Sequence, residues 1–336
     1  KLGFLTGVTK FGKVSVFSDL NNLKDISMRR DYIDICGITD KELHRYFDKD
    51  LHTLADVQGM DYETVCLEVQ KRYDGYHFNF NTPGIYNPFS LLNTFDAMAF
   101  GSYWFATGTP SYLVYLLKKH HYRLEEIEKV EVTEDVLDSI DSEGTNPIPV
   151  IYQSGYLTIK DYDPEFGLYT LDYPNREVEE GFVKYLMPFY IDKSEAEAPF
   201  EIRKFVGEVR NGNIDGFFHR LQSFFADAPY EVIVGQDPVR NVELFFQNVL
   251  FIVFRLAGFY TQVEYHTSRG RIDLVLKTDK FIYVMEFKQG ATAEEALAQI
   301  NEKGYADAFA SDPRTLYKIG VSFSDEQRNI ERWLVE

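Results

Sequence analysis

Two strand-like segments joined by a short turn constrain the C-terminal part of this chain more than any other feature. Residues 271–277, Arg-Ile-Asp-Leu-Val-Leu-Lys, and 281–288, Phe-Ile-Tyr-Val-Met-Glu-Phe-Lys, read as two strands of one hairpin, with the turn between them centred on residues 279 and 280. With that turn, Asp273 on the first strand pairs with Glu286 on the second. Cross-strand partners share one face of a hairpin, so we expect both carboxylates on the same side.

Two carboxylates at adjacent positions repel each other, and the pattern predicts a way to offset that repulsion. A divalent cation between Asp273 and Glu286 would do so, and Lys288, two residues further on, shares their face. Such a group suits metal-dependent hydrolysis of phosphodiesters. The prediction depends on register, because a shift of one residue would turn one carboxylate to the other face and leave a solvated strand surface.

The elements around this hairpin follow a definite order. The sequence predicts a helix from about 237 to Gly258, a strand at about 260–266, the hairpin, a helix at about 291–303, a strand at 316–323 and a short terminal helix at 324–333. The predicted order is α-β-β-β-α-β-α.

That order, with Asp273, then Glu286-Phe287-Lys288, then Gln299 on the next helix, resembles the PD-(D/E)XK nuclease superfamily over residues 236–336. The resemblance implies an αβββαβ restriction-endonuclease-like mixed sheet. It also implies that Asp273 and Glu286 are ligands of Mg²⁺ or Mn²⁺, and that Lys288 orients or activates the attacking water. Glu243 on the first helix would supplement the metal site, and Gln299 would support the site or approach the substrate backbone. The proline of the superfamily's name is absent, since Arg271-Ile272 precedes Asp273.

The charge balance limits the choice of partner. The chain carries 35 Lys plus Arg against 53 Asp plus Glu, a net of −18. Residues 236–336 hold 12 basic and 15 acidic residues, a net of −3, which leaves −15 for residues 1–235. Phosphate contacts normally need a basic surface, so the sequence argues against indiscriminate nucleic-acid binding. The nearly neutral C-terminal part still allows nucleic acid, with DNA the expected substrate.

The first two thirds of the chain carry phrases of another kind. Arg-Tyr-Asp-Gly-Tyr at 72–76, the segment 86–92, Tyr-Trp-Phe-Ala-Thr-Gly-Thr-Pro at 103–110 and the segment 150–159 resemble bacterial AAA-ATPase-like proteins that end in a PD-(D/E)XK domain. The resemblance implies that the nucleotide-binding loop lies upstream, so an ATP site is expected only in a portion that precedes this chain. The spacing at Gly7–Val14 mimics a phosphate-binding loop, but Val14 stands where Ser or Thr should bind Mg²⁺.

Between these parts, the sequence predicts a connecting region. Charges and apolar residues alternate at helical spacing over 124–141, which indicates a solvated connector helix. Residues 156–160 and 168–173 form a predicted hairpin that resembles a winged-helix unit, and 195–235 form a helical bridge. We therefore expect three parts of α/β and α class: residues 1–123 from an ATPase-like domain, 124–235 as connector, and 236–336 as the nuclease-like domain.

The predicted function is a Mg²⁺- or Mn²⁺-dependent nuclease attached to an ATPase-like module. A nuclease-like domain without catalysis, serving to bind nucleic acid or protein, is the alternative, and a two-carboxylate glycosidase is disfavoured by the close pairing and the lysine. No signal peptide or membrane-length apolar run is visible, so a cytoplasmic protein without a membrane partner is expected. Protein partners and a homo-oligomer stay open.

Overall fold

A computed structural model describes the chain over residues 24–104, 111–138, 146–191, 194, 196–226, 238–258, 260, 262–268 and 271–336. Within these ranges, the side chains at 138, 198, 238–243 and 265–273 are outside the description. The chain divides into two compact units, the first made of 1–122 and 126–182 and the second of 123–125 and 183–336. The phosphate-loop-like segment Gly7–Val14 lies outside the described residues.

The first unit combines helices with a small antiparallel sheet. Its helices are α1 (Asp40–Tyr46), α2 (Asp48–Gln58), α3 (Tyr62–Tyr73), α4 (Pro88–Ala97), α5 (Ser111–Lys119), α6 (Glu134–Asp138) and α7 (Ile148–Gln153), and its strands are β1 (Val130–Thr133), β2 (Thr158–Asp163) and β3 (Leu168–Asp172). Helices α1 to α4 enclose an apolar core that includes Leu51, Val65 and Tyr73. Asn87 caps α4 by accepting hydrogen bonds from the backbone amides of residues 89 and 90, and Pro88 occupies the first helical position, where its missing N–H costs nothing.

Two secondary-structure predictions fall between residues 124 and 173, and one of them is correct. The hairpin is confirmed, because β2 and β3 pair antiparallel. The continuous helix expected over 124–141 is wrong: a 3₁₀ helix at Leu124–Ile127 is followed by β1 and α6. Strand β1 pairs with β3, which gives a three-stranded sheet in the order β1-β3-β2, and Val132 is buried. Pairing with a strand about 40 residues away outweighs the local helical pattern, a contact that charge spacing cannot reveal.

Helix α8 (Arg176–Tyr190) crosses the division between the units, and the second unit is built on a five-stranded sheet. Its elements are helices α9 (Ala198–Asn211), α10 (Ile214–Ala226), α11 (Pro238–Gly258) and α12 (Ala293–Lys303), and strands β4 (Gln262–Ser268), β5 (Arg271–Lys277), β6 (Phe281–Gln289), β7 (Thr315–Ser324) and β8 (Asn329–Val335). The strands lie in chain order, with β6 and β7 parallel and the other neighbours antiparallel. The predicted αβββαβ order is therefore present.

Helices cover both faces of this sheet, and the alternation along β6 separates the two sides. Tyr283 donates a hydrogen bond to the Val209 carbonyl of α9 at 2.6 Å, and the Phe287 ring lies 6.3 Å from that of Phe254 on α11. The other side of β6 carries Ile282 and Val284, which cluster with Ile300 of α12. Because side chains alternate along a strand, the even-numbered positions of β6 face α12 and the odd-numbered positions face α9 to α11.

The predicted terminal helix at 324–333 is wrong. The chain turns over residues 325–328 and returns as β8, an antiparallel partner of β7. Trp333 of this strand stacks on Phe218 of α10 at 5.0 Å, and its indole nitrogen donates to Asp215 at 2.9 Å. Ile330 is buried. Pairing with the free edge of β7 and burial of these side chains decide the conformation, while Asp325-Glu326-Gln327-Arg328 taken alone favours a helix.

None of the helices over the described residues is both long and apolar enough to cross a bilayer.

Candidate functional site

The register of the hairpin is the one that the turn predicts. Asp273 of β5 pairs directly with Glu286 of β6, and the residue 278 amide bonds to the Phe281 carbonyl to close the turn. Direct partners share a face, and position 286 lies on the side of α12. Both acidic positions therefore stand next to each other on the α12 side of the sheet.

A second row of polar positions lies immediately beside this pair. Lys288 is two residues beyond Glu286 on the same face, and its direct partner on β5 is Arg271. Lys288 is half-buried. The two rows thus place two acidic positions next to two basic ones, a charge pattern suited to holding a cation and an anionic substrate side by side.

Glu286 is the most constrained member of the group, because its residue is fully buried at 0 % exposure. Its chain neighbours Met285 and Phe287 are buried apolar residues that face the opposite helices. A carboxylate in such surroundings is costly unless charges or hydrogen bonds compensate it. Burial also holds the side chain in one place, which is a property that ligands of a metal ion need.

The first turns of α12 lie directly on the sheet next to this pair. Gly320 of β7 is the parallel partner of Glu286. A Cβ atom at 320 would lie 2.2 Å from the carbonyl oxygen of Ala293 and 2.5 Å from the amide nitrogen of Leu297. The glycine therefore allows the backbone of α12 to touch β7. Asp273, Glu286 and Gly320 form one cross-strand row, which we call the acidic row, and α12 covers its β7 end.

A capping box closes the start of α12, near Lys288. Thr292 caps the helix: its hydroxyl accepts from the Glu295 amide, and its own amide donates to the Glu295 carboxylate at 2.8 Å. These bonds, with a smaller contribution from the charge of Lys288, lower the pKa of the Glu295 carboxyl below its ordinary value. The helix start is thus fixed both to the sheet and by its own cap.

Gln299 lies on the flank of α12 that is directed towards β5 and β6. Asn301 marks the opposite flank, because its side chain bonds to Lys318 of β7 and to Glu336 after β8. Successive residues of an α-helix are about 100° apart, so Gln299 is rotated by about 200° from Asn301. With Ile300 turned to the sheet, this rotation places half-buried Gln299 on the side of β5 and β6.

Glu243 belongs to α11, and its side chain is outside the description. Helix α11 packs on the sheet face opposite the acidic pair, as the stacking of Phe246 on Phe323 at 4.2 Å shows. A role for Glu243 stays a prediction. Among the side chains that are described, no three His, Cys, Asp or Glu residues converge as a metal site, and neither Asp273 nor Glu243 belongs to that set.

Sequence reasoning overlooked two positions in the acidic row. His266 of β4 is the direct partner of Asp273, and Gly320 of β7 is the direct partner of Glu286. The short Arg269-Gly270 step between β4 and β5 is a turn signal from which the His266 pairing could have been derived. The role of Gly320 could not be predicted from its own segment, because it depends on contact with a helix that lies more than 20 residues earlier in the chain.

Comparison with known families matches this part of the chain. Residues 241–333 match the model of the PD-(D/E)XK nuclease superfamily. The match supports a PD-(D/E)XK domain there. The matched residues run from α11 through β4, β5, β6, α12 and β7 into β8, and they include Asp273 on β5 and Glu286 on β6. The mixed sheet is therefore consistent with the family. Members of this superfamily are usually phosphodiesterase nucleases that use Mg²⁺ or Mn²⁺.

One curated relative extends the similarity to the whole chain. It is described as an uncharacterized protein in the vnfD 5′ region of Azotobacter chroococcum mcd 1, and it is 32 % identical over 345 aligned residues. The alignment covers 100 % of this chain and 63 % of the relative, so the chain spans less than two thirds of the relative's length. No solved structure matches the chain.

Proposed function

We propose that the PD-(D/E)XK domain is a Mg²⁺- or Mn²⁺-dependent nuclease that hydrolyses phosphodiester bonds in DNA. The observation that carries the proposal is the direct pairing of Asp273 with Glu286, with Lys288 on the same face. The proposal further assigns residues 1–123 to an ATPase-like module and 124–235 to a connector, in a cytoplasmic protein. The resemblance of the first two thirds of the chain to bacterial AAA-ATPase-like proteins supports the assignment of the ATPase-like module.

The residue types at the site fit a hard divalent ion. Carboxylate oxygens are the ligands that Mg²⁺ and Mn²⁺ prefer, and the buried Glu286 side chain has little freedom to move. We assign Asp273 and Glu286 as the protein ligands, with Glu243 as a supplementary acid. A bound ion would lower the pKa of its water and neutralise charge that develops on the phosphoryl oxygens.

The remaining residues act on water and substrate. Lys288 is assigned to orient the attacking water and to stabilise negative charge as it forms, because its ammonium is a fixed positive charge beside the acidic pair. Gln299 on the flank of α12 is assigned to support the site or to contact the substrate backbone. Arg271, the direct partner of Lys288, adds a positive residue where a phosphate could approach.

The decisive experiment combines cleavage with metal binding. The whole chain is incubated with plasmid, linear and single-stranded DNA in Mg²⁺, in Mn²⁺ and in EDTA, and metal binding is followed by calorimetry. Glu286→Gln keeps the volume of the buried side chain and removes its charge. The matched control is Glu294→Gln, a half-exposed carboxyl on α12 that pairs with Arg332 at the surface.

We expect cleavage in Mg²⁺ or Mn²⁺, none in EDTA, and loss of both cleavage and metal binding in Glu286→Gln but not in Glu294→Gln. Equal cleavage by both variants would attribute the activity to a contaminant. A folded protein that binds DNA but neither binds metal nor cleaves would replace the proposal with the non-catalytic alternative.

A further inference from the structure

Helix α5 of the first unit carries a row of exposed aromatic and basic side chains. Tyr112 and Tyr115 are each 57 % exposed, and their rings stack with centroids 6.4 Å apart. The ammonium of Lys119 lies over the Tyr115 ring, 6.0 Å from its centroid. Because these residues are three and four positions apart, they form one ridge along the helix about 10 Å long, which we call the tyrosine ridge.

The fold of the first unit does not require the side chains of the tyrosine ridge. Helix α5 buries its opposite half through four apolar residues, Leu113, Val114, Leu116 and Leu117. The exposed face of such a helix normally carries charged and polar residues. Tyrosine combines a large apolar ring with a polar tip, which makes it common where one protein surface meets another molecule. The ridge therefore has the composition of a binding surface.

The charge of the segment around the ridge indicates which class of molecule binds there. Residues 97–122 contain no Asp or Glu, although residues 1–235 have a net charge of −15. The same segment contains Lys118 and Lys119 in the last turn of α5. A segment with basic residues and no acids, within an otherwise acidic part of the chain, favours an anionic partner.

A second exposed tyrosine of the first unit lies in the opposite electrostatic setting. Tyr46, the last residue of α1, is 62 % exposed, and the Arg45 guanidinium lies 5.2 Å from its ring centroid. Glu42 precedes it in the same helix, and Asp48 and Asp50 follow it in the first turn of α2. These acids would repel a polyanion. Tyr46 thus shares the aromatic and cation pair of the ridge but lacks its charge, which makes it a matched control.

From the ridge and its charge we propose that α5 binds single-stranded nucleic acid. Unpaired bases expose π-faces that can stack on Tyr112 and Tyr115, and Lys119 would contact a backbone phosphate. A duplex keeps its base faces within its own stack, so duplex DNA should bind less well at the ridge. The site needs no metal ion and lies outside residues 241–333, so it adds a binding function to the proposed nuclease without depending on its chemistry.

The test measures binding without cleavage. The whole chain is titrated in EDTA into a short fluorescein-labelled oligothymidine, and fluorescence anisotropy gives the Kd over a range of salt concentrations. Parallel titrations use oligouridine RNA, duplex DNA and an abasic DNA strand that keeps the phosphates but lacks the bases.

The variants separate the ring from the charge. Tyr115→Leu keeps an apolar residue that favours a helix but removes the ring, and Tyr115→Phe keeps the ring. Lys119→Gln removes the charge, and Tyr46→Leu is the matched control. Circular dichroism checks the folding of each variant, and Lys119→Gln, at an exposed position, retains the test if Tyr115→Leu does not fold.

We expect Tyr115→Leu to weaken binding of oligothymidine by about five- to a hundredfold, the scale for loss of one stacked base, while Tyr115→Phe and Tyr46→Leu bind like the unaltered chain. Lys119→Gln should make the slope of log Kd against log salt shallower by about 0.7. The abasic strand should bind weakly and respond to Lys119→Gln but not to Tyr115→Leu. Preference for either DNA or RNA supports the inference and identifies the strand that the ridge takes.

Three results would overturn the inference. Equal single-strand binding by the unaltered chain, Tyr115→Leu and Lys119→Gln would place the contact elsewhere and leave the nuclease proposal intact. Absence of single-strand binding in EDTA would also refute it, whereas cleavage in Mn²⁺ tests the nuclease separately. Loss of self-association in Tyr115→Leu, measured by sedimentation, with unchanged binding of oligothymidine would instead identify the ridge as a contact between copies of the chain.

Discussion

Glu286 and Gly320 are direct partners on the two parallel strands of the sheet, and one is a buried acid while the other has no side chain. The missing side chain is what lets α12 rest its backbone on the strand at this row. The acid at 286 is thereby enclosed on one side by main chain rather than by solvent. The position of Glu286 in the candidate site therefore depends on the contact between α12 and Gly320.

Gly320→Ala should therefore destabilise the second unit. The added Cβ would overlap the Ala293 carbonyl oxygen and the Leu297 amide, both of which are backbone atoms that cannot rotate away. Overpacking of this kind typically costs about 1–3 kcal/mol, and we expect the upper end. Urea unfolding measures the change.

Gly207→Ala is the matched control for that experiment. Gly207 lies within α9 of the same unit, and a Cβ there would meet open space. Alanine favours a helix by up to about 1 kcal/mol over glycine, so this variant should be neutral or more stable. Equal destabilisation by the two substitutions would contradict the role given to Gly320.

Lys288→Met should remove catalysis while leaving metal binding in place. Methionine keeps the apolar stem of the half-buried side chain and removes the charge that is assigned to the attacking water. Loss of one such electrostatic contact typically lowers kcat by about 10²–10³-fold. Single-turnover cleavage and Mn²⁺ calorimetry measure the two properties separately. Lys303→Met, at an exposed position of α12, should change neither.

Tyr283→Phe should weaken the packing of the sheet on α9. The buried hydroxyl donates to the Val209 carbonyl at 2.6 Å, and phenylalanine would fill the same space without that bond. We expect a loss of about 1 kcal/mol in the free energy of unfolding, from denaturant melts, with nuclease activity unchanged. Phe281→Leu, on the half-buried end of the same strand, serves as a comparison that removes no hydrogen bond.

Glu177→Gln should make the first unit less sensitive to pH. Glu177 is 2 % exposed and accepts a hydrogen bond from the Trp104 amide at 3.0 Å. Burial is the main cause that raises the pKa of its carboxyl above the ordinary value of about 4.5, so the folded state favours the protonated form. Its favourable contribution is then complete below about pH 4.5 and is lost as the pH rises towards the raised pKa.

Thermal unfolding at pH 4.5, 6 and 8 checks this sign. The unaltered chain should lose stability relative to Glu177→Gln as the pH increases, because glutamine stays neutral throughout. Glu63→Gln, at an exposed position of α3, should follow the unaltered chain. If the unaltered chain instead lost stability relative to Glu177→Gln as the pH fell, the folded state would favour the charged carboxylate, which would contradict the prediction.

The sequence by itself determined the local parts of the second unit. The position of the turn at residues 279 and 280 predicted the pairing of Asp273 with Glu286 correctly, because register in a hairpin follows from the turn. The long apolar run that ends at Gly258 gave α11 correctly. Each of these signals lies within the segment whose structure it predicts.

Only the tertiary structure decided the rest. Residues 329–335 form a strand because β7 offers an unpaired edge and Phe218 a surface for Trp333, neither of which is visible in that stretch of sequence. The alignment of His266 with the acidic pair, and the closure of the row at Gly320, likewise depend on which strands become neighbours. Local spacing sets what a segment prefers, whereas burial and strand pairing between distant segments set where its side chains meet.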